Sequence, residues 1–130
     1  MSVPSGYRFT KEHEWISESS AGKFKIGITD YAQAELGDVV FIDLPEIGRA
    51  VKKGESMATV ESVKAVSDIY APIDGKIIEV NSTLSTKPEL VNQEPHETGW
   101  MVVLEASDSS QSAQLLDAPT YEGYLKEIAK

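Results

Sequence analysis

The stretch Glu61-Ser62-Val63-Lys64-Ala65 sets one amine between two strand-like runs, residues 57–62 and 65–70. A lysine so placed can take up a group on its nitrogen or form a Schiff base with a carbonyl substrate. The second chemistry needs an amine stripped of its proton by desolvation or by a neighbouring cation. Here the near neighbours in sequence are Glu61 and Asp68, which favour the charged ammonium. The residue types therefore argue against a Schiff-base role for this lysine. A lone loop lysine is ordinarily a solvated turn residue. What sets Lys64 apart is its place at a hairpin tip, midway between two related halves, in a chain that offers no other chemical site. There is no cysteine, and the two histidines, His13 and His96, are too far apart in sequence to suggest a metal set.

The elements around Lys64 are expected to hold it out. Neither Val63 nor Lys64 favours positive φ, so a type I turn is expected in place of a primed one, with Ser62 opposite Ala65, Glu61 opposite Val66 and Val60 opposite Ser67. Upstream, Trp15 and Ile16, a turn through Ser19-Ser20-Ala21-Gly22, and the alternating Phe24, Ile26 and Ile28 read as a hairpin. Asp30 is expected to cap a short helix over residues 31–36 that Gly37 ends, and residues 39–44 read as a strand. Shifting the chain by 27 residues lays Ile42 on Ile69, Pro45 on Pro72, Gly48 on Gly75, Ala50-Val51 on Ile77-Ile78 and Met57 on Leu84. The shared Pro-x-x-Gly predicts a tight reversal in each half. Residues 99–104 add a strand, and residues 111–116 and 120–128 read as helices separated by Pro119. The expected fold is mainly β: a small flattened barrel or sandwich of two quasi-repeated halves with an N-terminal hairpin and C-terminal helices. At 130 residues one domain is expected, with a β core over about residues 7–106 and a helical cap over about 110–129.

Twelve basic against twenty-one acidic side chains give a net charge of −9. That balance disfavours nucleic acid and anionic membranes and favours encounter with proteins that have basic faces. No apolar run approaches the length that crosses a bilayer, and the N-terminal residues lack a secretory or organelle presequence pattern. The expected site of action is the cytoplasm, or the mitochondrial matrix for a mature eukaryotic form.

Glu61-Ser62-Val63-Lys64-Ala65 with Ser67-Asp68-Ile69-Tyr70-Ala71-Pro72 resembles the lipoylation segment of the glycine cleavage system H proteins. His13-Glu14-Trp15, Gly27-Ile28-Thr29-Asp30-Tyr31-Ala32-Gln33, Leu36-Gly37-Asp38-Val39-Val40, Leu44-Pro45, Leu90-Val91-Asn92 and Gly99-Trp100-Met101 extend the resemblance, in order, over residues 7–104. It implies a lipoyl/biotinyl-domain-like fold and lipoic acid in amide linkage to Lys64. About eleven bonds at roughly 1.25 Å of projected length give such an arm a reach on the order of 14 Å. It further implies a non-catalytic carrier, a monomer, that takes an aminomethyl group from a pyridoxal-phosphate glycine decarboxylase to a tetrahydrofolate-dependent aminomethyltransferase. Dihydrolipoyl dehydrogenase would reoxidise the arm, and a lipoate ligase or lipoyl transferase would attach it. Glu61 and Gly75 match positions linked to recognition by the attaching enzyme. Glu14 and Asp68 match positions lining the cleft where the loaded arm rests. Glu12 departs from the small polar residue common in that cleft, and His96 stands where an aromatic is common. Biotin carriers flank their lysine with methionines, unlike Val63 and Ala65. Lipoyl domains of 2-oxoacid dehydrogenases usually have Asp before the lysine and lack the N-terminal His-Glu-Trp hairpin. An unlipoylated adaptor, or a domain serving another lipoate-dependent complex, is the alternative.

Overall fold

The computed structural model describes residues 3–128. Among the described residues nine strands form two antiparallel sheets. The larger holds β1 (Arg8–Phe9), β2 (Glu14–Ser20), β3 (Lys23–Ile28), β9 (Val102–Ala106), β8 (Gly75–Val80) and β5 (Ala50–Val51), in that spatial order. The smaller holds β4 (Val39–Asp43), β6 (Ser56–Ser62) and β7 (Val66–Tyr70), with β6 in the middle. This is an open two-sheet sandwich. Ile16, Ile26, Ile77, Val102 and Leu104 from the first sheet and Ile42, Met57, Val60 and Ile69 from the second share one core. Alternate residues of a strand face opposite ways, so β2 serves two clusters. Ile16 joins the main core, while Trp15 joins Phe9, Ala118 and Tyr121 in a second one.

The repeat is real where it concerns partners. Ile42 on β4 and Ile69 on β7 are both buried and lie on the strands flanking β6, and β5 pairs with β8. Its last third diverges: the stretch matching β6 begins with a 3-10 turn, Ser82–Ser85, in place of a strand, although Leu84 is buried like Met57. The two Pro-x-x-Gly motifs also differ. Gly48 takes φ 98° in its turn, whereas Gly75 opens β8 without a positive φ. The turn role expected of Gly75 is therefore corrected. A Cβ there would stand 2.6 Å from the Glu105 carbonyl oxygen on β9, so glycine is required by close backbone approach.

Three boundaries move. The helix α1 (Asp30–Leu36) is capped by Thr29, extended at φ −76°, ψ 165°, whose Oγ1 accepts from the Ala32 N–H at 3.2 Å. Asp30 is the first residue inside that helix and accepts from the Gln33 side chain. Residues 99–101 lead into β9 and are not part of it. At the C-terminal end, the expected helix over residues 111–116 is a 3-10 turn, Ser109–Gln114, capped by Asp108. Leu116 is extended instead and exchanges backbone hydrogen bonds with Phe9 at 2.8 and 2.9 Å. Pro119 does not separate helices; it lies in the first turn of the last one (Ala118–Ile128), where a missing N–H costs nothing. That helix lays Tyr121 flat on Phe9, with centroids 4.6 Å apart and planes 5° apart. Residue 129, the expected end of the cap, and residues 1, 2 and 130 lie outside the described residues.

Candidate functional site

β6 and β7 pair as the alternation requires, with Thr59 opposite Asp68, Val60 opposite Ser67 and Glu61 opposite Val66. Val63, Lys64 and Ala65 make the connection. Among the described residues only His13 has a positive φ without being glycine, so the turn is not a primed one. Ser62 closes it. Its N–H reaches the Ala65 carbonyl at 2.8 Å, and its hydroxyl donates to that carbonyl at 3.2 Å. The same hydroxyl accepts from the Lys64 and Ala65 N–H groups at 3.3 and 3.1 Å. A serine hydroxyl has one donor and two acceptor positions, and all three are used. The Val63 N–H adds a bond to the Asp38 carbonyl at 3.0 Å, which ties the tip to the α1–β4 connection.

That connection is itself held. Asn92 donates to the Gly37 carbonyl at 2.8 Å and to Gln33 at 3.1 Å, and accepts from the Val39 N–H at 2.8 Å. Gly37, at φ 78°, leaves open the space that the Lys64 stem crosses. A Cβ there would come within 3.3 Å of Lys64 Cε and 4.0 Å of Nζ. Lys64 is exposed, and its backbone is fixed by bonds on both sides of it. Ser62, Gly37 and Asn92 thus position the lysine although their types alone signal only turns; Ser and Asn are common turn formers by this same local bonding.

The other candidates are spread over both sheets. Glu61 is exposed on the outer face of β6. Asp68 is exposed on β7 and accepts from Ser56 Oγ at 3.1 Å. Gly75 lies in the larger sheet, between β5 and β9, and not on the hairpin. Glu14 lies in that sheet too, yet it reaches across. One oxygen accepts from the Thr10 hydroxyl at 2.6 Å and the other from the Tyr70 N–H, at the base of β7, at 3.1 Å. It is only 1 % exposed. Burial pushes its carboxyl up to about 7, the two hydrogen bonds restrain that rise, and the nearby Glu12 adds to it. Glu14 and Asp68 line separate hollows, of about 270 and 170 Å³, and the exposed Glu12 lines both. His96 is taken up in packing, its Nε2 accepting from the Asp30 N–H at 3.1 Å and its ring set edge-on to Trp15 and Tyr7.

Two antiparallel sheets around one core, with a lysine held out at the bend of a clasped hairpin, define a lipoyl-domain-like sandwich. Comparison with known proteins narrows this. The model of the glycine cleavage H-protein family matches residues 7–128. The chain is 51 % identical over 125 residues to the glycine cleavage system H protein of Escherichia coli O7:K1, covering 96 % of this chain and 97 % of that one. It is 50 % identical over 127 residues to that of Bacillus licheniformis, covering 98 % and 99 %. The crystal structure of a glycine cleavage system H protein from Mycobacterium marinum superposes with a TM-score of 0.86 at 36 % identity, covering 95 % of this chain and 99 % of that one. The chain belongs to the glycine cleavage H-protein family.

Proposed function

We propose that Lys64 carries lipoic acid in amide linkage and that residues 1–130 act as one carrier unit of the glycine cleavage system. In this reading the chain is not a catalyst. It takes an aminomethyl group from glycine decarboxylase to the tetrahydrofolate-dependent aminomethyltransferase, and dihydrolipoyl dehydrogenase restores the oxidised arm. The observation that carries the reading is the exposed Lys64 amine above a turn clasped by Ser62, in a chain of this family. The residues present suit such a group: the open space over Gly37 admits the lysine stem, and the amine faces solvent where a ligase can reach it.

Attachment asks little of the chain beyond presentation. The neutral Nζ attacks the carbonyl carbon of a lipoyl adenylate; the bond to phosphate oxygen breaks, AMP leaves with the electron pair, and the nitrogen gives up a proton to solvent. Once attached, the group supplies the redox-active sulfur that a cysteine-free chain lacks. Glu61 and Gly75 serve recognition by the attaching enzyme, the first by its exposed charge and the second by letting β8 and β9 lie close. Asp68 and Glu14 line the two hollows on either side of Glu12 where the loaded arm would rest, Asp68 as the exposed carboxylate for its protonated amine and Glu14 as part of the buried wall. Incubation with lipoate, ATP and a lipoate ligase, followed by intact mass, tests the assignment. One lipoyl-sized increment is expected, absent in Lys64→Arg; a wild type that stays unmodified overturns it.

A further inference from the structure

Among the described residues, most of the large apolar side chains left in solvent gather around one end of the smaller sheet. Val40 and Phe41 on β4, Val63 at the tip and Val66 on β7 are 50–69 % exposed. The register explains why they form a surface. Phe41 is opposite Glu61, and Glu61 is opposite Val66, so the three side chains stand in a row on the outer face beside the tip. The next row on that face is Asp43, Thr59 and Asp68, so the surface passes from apolar near Lys64 to acidic away from it. A cluster of aliphatic and aromatic groups with one carboxylate at its centre has the composition of a recognition site.

Reach decides what covers it. An enzyme that works at the end of a lipoyl arm acts on the order of 14 Å from the Lys64 Cα, whereas one that acylates Nζ must bring its reacting carbon to about 7.5 Å. The second has to lie against the tip and the face beside it, whatever the depth of its own site. We propose that the Phe41–Glu61–Val66 row, with Val40 and Val63, is the surface by which the lipoate-attaching enzyme docks on this chain. Its partner surface is an apolar recess with a cation placed for Glu61. The proposal rests on the carrier reading of Lys64 and goes beyond it by naming Phe41 and Val66 as specificity determinants.

Initial rates of lipoylation by a lipoate ligase, followed by intact mass over a range of carrier concentrations, test this. Phe41→Ser and Val66→Ser should each raise the KM for the carrier about ten-fold and leave kcat unchanged, as expected when an interaction common to ground and transition state is lost. Phe41→Leu, which keeps an apolar side chain, should raise KM less than Phe41→Ser. Ile47→Ser should keep the wild-type KM, since Ile47, 64 % exposed, follows the far end of β4. Val66→Thr keeps the branched shape that suits a strand and should raise KM if Val66→Ser fails to fold. Glu61→Gln should weaken the dependence of KM on salt. Wild-type KM values for the Phe41 and Val66 variants, with the wild type modified normally, overturn the docking surface alone. A wild type that is never modified overturns the carrier reading and this proposal together. A wild-type dimer dispersed by Phe41→Ser, with KM unchanged, assigns the face to a second copy and overturns the proposal.

Discussion

The β2–β3 and β6–β7 hairpins reverse the chain by different means. Between β2 and β3 the turn uses Gly22 at φ 76°, a conformation that glycine reaches without steric cost. Between β6 and β7 the turn has no such residue, and Ser62 and the Asp38 carbonyl supply hydrogen bonds instead. A turn that only has to reverse direction can rely on glycine. One that must present a chosen side chain has to hold a lysine in an ordinary backbone region by outside bonds. Glu14 connects the two hairpins, because it belongs to the first and accepts from the backbone of the second.

Glu14 should give the largest effect. Its carboxyl titrates at about 7 in the fold against 4.5 in its unperturbed form. The folded protein therefore binds more protons between those two pH values, and stability falls as pH rises through that window, by up to about 3 kcal/mol. Glu14→Gln can still accept from the Tyr70 N–H and meet Thr10, without the charge. Chemical denaturation should find the variant close to wild type near pH 4 and more stable above pH 8; parallel pH profiles would separate Glu14 from the link between the hairpins.

Ser62→Ala should follow, at about 2 kcal/mol for the loss of a three-way hydroxyl. It should also slow lipoylation several-fold and speed hydrogen exchange at the Lys64 and Ala65 amides. Gly22→Ala should cost about 1 kcal/mol, from forcing a Cβ into the left-handed region, and leave lipoylation unchanged. If both variants lower stability and lipoylation in proportion, the hairpins do not differ in the way described.

Local signals carried much of this arrangement. The β6–β7 register follows from alternation and from the dislike of Val63 and Lys64 for positive φ, and the β2–β3 hairpin from its aromatic and aliphatic spacing. Features set by distant chain were not legible. Gly75 reads as a turn residue by analogy with Gly48, because nothing near it announces that the Glu105 backbone will press against it. Leu116 reads as helical because its partner is Phe9, at the other end of the chain. Thr29 displaced Asp30 as cap by a single residue, the ordinary uncertainty of a boundary between two good capping types. Glu14 reads as a cleft carboxylate by resemblance, and its burial was not legible because it depends on Thr10 and Tyr70 arriving together.

The most direct test is to locate the modification. The chain has ten lysines, and the nine among the described residues are all exposed and open to nonspecific acylation. Peptide mapping by tandem mass spectrometry after limited lipoylation should place the whole increment on Lys64, with none on Lys52, Lys53 or Lys76. An increment spread over several lysines, or found on another one, would contradict the claim that this fold exists to hold out that one amine.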